Sequence, residues 1–153
     1  MGRINMSRVL LGGLVAGIVI DVFQGVLNGA VLADQWTAYM SSLGKPAAFS
    51  VNQLVWFNLI GLLYGILTVR LYAAIRPRFG PGPRTALRAG IAIWLIGYLL
   101  PNMTYVVSGL APKNLTIIAL GVEIMEVVLA ALAGAALYKE DEAVARQAIP
   151  IHT

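Results

Sequence analysis

Apolar residues run through this chain in four long blocks, separated by short polar or turn-forming segments. Each block is long enough to cross ~30 Å of hydrocarbon as a helix, which takes about 20 residues. They fall at about residues 9–32, 51–75, 86–108 and 115–138. The first starts just after Arg8. It is too long, and too polar at its far end, for a cleaved signal peptide, and no small-residue cleavage site follows it, so it reads as a retained helix.

The connections have their own patterns. Trp36, Tyr39, Met40 and Leu43 stand at i, i+3, i+4 and i+7, and Gly44 and Pro46 follow. That spacing predicts a short helix over 35–43 lying in the outer membrane interface, its Trp and Tyr at headgroup level. Ser50 and Gln53 have the spacing of a capping box at the start of the second span. The run Arg76-Pro77-Arg78-Phe79-Gly80-Pro81-Gly82-Pro83-Arg84 predicts a stiff turn without helix. Residues 108–114 form a tight hairpin, and Pro101 is expected to kink the third span. The fold class is therefore all-α: a polytopic membrane protein built as a four-transmembrane-helix bundle, one domain over 1–153 with a polar tail at 139–153.

Composition excludes the soluble alternative. Hydrophobic residues make up 59% of the chain before its 16 glycines are counted, and charged residues only 12%. Soluble domains carry about 25% charged residues. Mean hydropathy is +0.79. The absence of cysteine removes disulfides, thiolate metal sites and iron–sulfur clusters, and the single histidine, His152, rules out a bis-histidine haem or a His-based triad within one chain. No haem, iron–sulfur or zinc cofactor and no catalytic residue is expected.

Charge placement explains the basic character without nucleic acid. If four spans alternate, one side carries Arg3, Arg8, Arg70, Arg76, Arg78, Arg84, Arg88, Lys139 and Arg146, and the other only Lys45 and Lys113. This asymmetry predicts a bacterial inner (cytoplasmic) membrane protein with both termini cytoplasmic. Arg76, Arg78, Arg84 and Arg88 would also suit anionic lipid headgroups, at about 1 kcal/mol per charge.

Polar residues within the spans are the candidate chemistry. Asp21, Gln24 and Asn28 share a face of the first span, beside Gly13 and Gly17; Glu123 and Glu126 share a face of the fourth, and Asn58 lies in the second. At ~1.5 Å per residue, Asp21 and Glu126 each sit about 18 Å from the cytoplasmic boundary, near mid-membrane. These six are expected to meet in one layer, with the carboxyls neutral or holding a cation. Small-xxx-small pairs recur at Gly13/Gly17, Gly25/Gly29 and Gly61/Gly65, a pattern that lets helix backbones approach closely.

Three stretches carry a resemblance: Leu71 through Ala86, Arg8 through Gly17 with Val26–Gly29, and Glu126 through Glu140. Together they resemble a family of small four-helix bacterial membrane proteins. The resemblance covers nearly the whole chain. It implies the same four-helix architecture and carries no established activity. Members of that family tend to have Asn and Glu where this chain has Asp21 and Gln24, an acid displaced by one turn on the same face, which suits an interchangeable polar network.

Two functions compete at this stage. One is a non-catalytic accessory or structural subunit of a larger integral membrane complex, energy-converting, respiratory or photosynthetic, with a membrane protein partner or further copies of the chain. The other is a small proton- or cation-coupled carrier or channel acting as a homo-oligomer, with Asp21, Glu123 and Glu126 carrying charge. The polar layer reads first as glue between helices, then as an ion path, and then as ligands for a bound lipid or pigment.

Overall fold

The computed structural model describes residues 4–46 and 48–139. Arg3, Arg146, His152 and the tail beyond Lys139 lie outside the described residues. Five helices follow in order: α1 (Met6–Val31), α2 (Ala33–Ser42), α3 (Val51–Phe79), α4 (Pro83–Val107) and α5 (Lys113–Leu137). No strand occurs among the described residues. All but α2 are long and apolar enough to cross a membrane, so the chain is an all-α, multi-pass membrane bundle.

Short connections make successive spans antiparallel neighbours. α1 packs on α3 and on α5, and α4 packs on the same two helices from the opposite side. The four spans thus close a ring, with α3 and α5 also touching across it. Glycine sets how tightly the ring closes. A Cβ built on Gly13 would lie 2.6 Å from the Ile66 Cα, and one on Gly17 would lie 2.5 Å from the Leu62 Cα. One on Gly65 would strike the backbone of Gly13 and Gly17. Gly12 and Gly134 form the equivalent seam between α1 and α5, where a Cβ on Gly12 would lie 2.5 Å from the Gly134 carbonyl oxygen. Val9, Ala16, Ile20, Val69, Tyr72, Ala86, Ala89 and Ala130 fill the core around these seams. Lipid-exposed helices gain nothing from hiding apolar surface from one another, so this close backbone contact is what holds the spans together.

The turn between α3 and α4 departs from the sequence expectation. Helix continues through Arg76, Pro77 and Arg78 and ends at Phe79. The reason is position: Pro77 lies in the last turn, where its fixed φ suits a helix and its missing N–H removes a single bond to the Ala73 carbonyl. The break falls at Gly80 (φ 80°) and Gly82 (φ 117°), and Pro83 opens α4. Tyr72 accepts a hydrogen bond from the Gly82 N–H at 3.2 Å, and Thr85 donates to the Gly80 carbonyl at 2.7 Å, which fixes the turn from both sides.

The other connections follow their local chemistry. The Ser50–Gln53 capping box is formed, with Gln53 N–H on Ser50 Oγ at 3.3 Å and Ser50 N–H on Gln53 Oε1 at 2.9 Å. α4 ends in a Schellman motif: Gly109 takes φ 72°, and the Leu110 and Gly109 amides bond the Tyr105 and Val106 carbonyls. Helix α2 begins at Ala33, two residues before the expected start, and Gly44 (φ 67°) stops it.

Two irregularities lie in the C-terminal halves of α1 and α4. Each contains a π turn, at Leu27–Val31 and at Trp94–Leu99. A π turn adds a residue to one turn and rotates everything beyond it relative to an unbroken α-helix. The turn in α4 ends two residues before Pro101, whose missing N–H would otherwise bond the Gly97 carbonyl. The Tyr64 hydroxyl of α3 donates to that carbonyl at 3.0 Å. A Cβ on Gly97 would lie 2.5 Å from the Tyr64 ring, so Gly97 and Pro101 together make the notch that Tyr64 fills.

Candidate functional site: a one-way polar chain

The polar residues of α1 and α5 meet where the glycine seams end. Glu126 is fully buried, at 0% exposure. The Gln24 side-chain amide donates to its Oε2 at 3.0 Å and to its Oε1 at 3.3 Å. Asn28 Nδ2 donates to Gln24 Oε1 at 2.6 Å, and the Trp36 indole donates to Asn28 Oδ1 at 2.8 Å. From the far side, the Tyr98 hydroxyl donates to Glu126 Oε1 at 3.3 Å. A chain of hydrogen bonds therefore runs from α2, along α1, to Glu126 on α5 and on to Tyr98 on α4.

Its direction is fixed by chemistry. An indole N–H can only donate. The Asn28 atom facing Trp36 must then be the oxygen, which turns the Asn28 nitrogen toward Gln24. Gln24 must meet that nitrogen with its oxygen, which turns its own nitrogen toward Glu126. Every link donates toward Glu126, and both of its oxygens serve as acceptors.

The π turn of α1 is what allows this. Asn28 lies inside it, and the Leu32 amide bonds the Leu27 carbonyl at 2.7 Å, five residues back. α2 then starts at once and turns Trp36 inward, onto a small cluster of Leu27, Leu32 and Leu115. Tyr39, half-buried, donates to the Leu110 carbonyl in the α4–α5 connection at 2.6 Å. Trp36 and Tyr39 thus both hydrogen-bond within the protein at the end of the bundle that α2 covers.

Glu123 stands one turn from Glu126 on the same face and is 8% exposed. Its Oε2 is buried and has no hydrogen-bond partner among the described residues. The Gln24 amide lies against the Glu123 carboxyl, and Tyr64 and Tyr98 are within electrostatic reach of it. The Tyr64 and Tyr98 rings pack on each other at 5.1 Å.

Two of the six expected members stand apart. The Asp21 carboxyl packs directly on Gly61 of α3, half-buried, and reaches Glu126 only through space. Asn58 is exposed on α3 and donates to the Leu54 carbonyl of its own helix at 2.7 Å, so it does not join the layer. Sequence reasoning also missed members. Tyr98 and Tyr64 close the layer from α4 and α3, and Trp36 sets its direction. Tyr98 lies within the π turn of α4 and is buried there.

Ligand capacity is narrow. Among the described residues no three Asp, Glu, His or Cys side chains converge on a point. A groove of about 410 Å³ runs between α3 and α4 along Leu63, Tyr64, Ile93 and Gly97 and is lined mainly by apolar side chains. The Arg-rich end of the bundle is built around one ring: Arg78 and Arg88 place their guanidinium carbons 5.8 and 4.5 Å from the Phe79 centroid. Arg76 lies 5.5 Å over Tyr138, and Arg84 is exposed in the first turn of α4. Comparison with known families, curated proteins and solved structures finds no match.

Proposed function

We propose that this chain is a non-catalytic accessory subunit of a larger integral membrane complex, energy-converting in type. The observation that supports the reading is an inequality among its glycines. Gly12, Gly13, Gly17, Gly61, Gly65 and Gly134 are each occupied by a neighbouring helix, whereas Gly25, Gly29 and Gly121 have nothing within 4 Å of where a Cβ would stand. A glycine within a helix costs about 1 kcal/mol relative to alanine unless a close approach uses the space. Inside the bundle that approach is visible; at Gly25, Gly29 and Gly121 it would come from a partner helix or a flat cofactor.

The test is co-purification. Solubilised in a mild detergent from its native membrane, the chain should migrate with a larger membrane complex and leave it when Gly25 and Gly29 are both replaced by Leu. A stable monomer with no partner would overturn the proposal.

The same reading places the protein in a bacterial cytoplasmic membrane with both termini inside. Arg76, Arg78, Arg84 and Arg88 then face the cytoplasmic leaflet, where anionic headgroups attract them. A membrane-impermeant thiol reagent should label Gly80→Cys only after the membrane is permeabilised, and labelling of intact cells would reverse the orientation.

A further inference from the structure

We propose that the Glu123–Glu126 pair holds one small cation, a proton or an alkali metal ion, in the middle of the bundle. The inference is independent of any partner complex.

It starts from unequal treatment of two adjacent carboxyls. The donor chain delivers Gln24 and Tyr98 to Glu126 and uses both of its oxygens as acceptors. One turn away on α5, Glu123 is more than nine-tenths buried, and its Oε2 meets no donor. A carboxyl oxygen closed off from water and left without a partner costs about 1–3 kcal/mol, and more when charged. The surroundings offer no relief. The titratable groups facing the pair are Tyr64 from α3 and Tyr98 from α4 beside Glu123, and Asp21 from α1 beside Glu126, and none of them can carry a positive charge. Every charge these groups can carry is negative, so the place is short of one positive charge.

The ligand count sets its size. With no third carboxyl or imidazole converging among the described residues, a divalent or transition metal lacks a donor set there. Two carboxyls with the Tyr64 and Tyr98 phenols beside them, the Gln24 amide presenting its nitrogen, suit a single charge. A proton shared between the pair and a bound sodium or lithium ion supply the same missing charge and differ in what the site responds to.

Both respond through linkage, since a ligand that binds only the folded state raises its stability with concentration. The full-length protein, purified in detergent, is unfolded by heat across a sodium series with choline holding ionic strength constant, and across pH 5–9 at fixed salt. If an alkali ion is bound, Tm climbs by at least about 3 °C per tenfold sodium, and Glu123→Gln flattens the series. If a proton is bound, Tm ignores sodium and falls as pH rises, and Glu123→Gln again flattens the curve. Asp34→Asn, on exposed α2, should leave either dependence intact. Should Glu123→Gln fail to fold, radiolabelled sodium binding and proton uptake by the unmodified protein decide. The proposal is overturned if neither cation affects Tm, if the dependence survives Glu123→Gln, or if the unmodified protein takes up neither.

Discussion

The two halves of α1 solve the problem of helix association in opposite ways. From Met6 to Ile20 the helix is regular, nearly free of polar side chains, and meshed by Gly12, Gly13 and Gly17 against α3 and α5 at backbone distance. From Asp21 to Val31 it carries amides and a carboxyl, loses its α-helical register in a π turn, and leaves Gly25 and Gly29 facing open space. The first half is held by contact, which tolerates no added atom. The second is held by directed hydrogen bonds, which tolerate an irregular backbone because side chains carry the specificity. Stability therefore belongs mainly to the N-terminal half, and whatever chemistry the protein has belongs to the other.

That comparison can be broken by substitution. Gly65→Val should have the largest effect. Its side chain would enter the Gly13/Gly17 backbone, and we expect a loss of about 3 kcal/mol, at the upper end of overpacking costs, measured as unfolding in detergent. Gly29→Ala, the same kind of change in the other half, should leave the isolated protein unchanged or stabilise it by up to about 1 kcal/mol. Asn58→Leu should move stability by no more than about 0.5 kcal/mol, the range of surface changes, since its amide serves only its own helix. If Gly29→Ala proved as damaging as Gly65→Val, the division between the halves would be wrong.

The sequence revealed the fold more fully than the site. Four spans were legible because a bilayer demands long apolar blocks, and Gly13/Gly17 and Gly61/Gly65 marked faces of close approach without saying which helices would meet. Gln24, Asn28, Glu123 and Glu126 were legible because a regular helix puts them on facing sides. Tyr98 and Trp36 were not. Trp36 joins the layer beyond one π turn and Tyr98 from within the other, and no residue pattern announces where a helix will take an extra residue. Asn58 misled because an amide inside a span has two ways to satisfy itself, across to a neighbour or back to a carbonyl four residues away, and sequence gives no preference. Pro77 misled for a related reason: proline near the end of a helix removes one bond, and only its place in the last turn makes that cheap.

The central claim is that a directed link from Gln24 to Glu126 joins α1 to α5. A double-mutant cycle tests it most directly, with Gln24→Leu, Glu126→Leu and the double variant unfolded under identical detergent conditions. The account predicts a favourable coupling of about 1–2 kcal/mol, above the ~0.6 kcal/mol average for hydrogen bonds between membrane helices because one partner is a carboxyl. It also predicts that the double variant is closer to the parent protein than the two single losses would add to. Strictly additive losses, with coupling near zero, would contradict it.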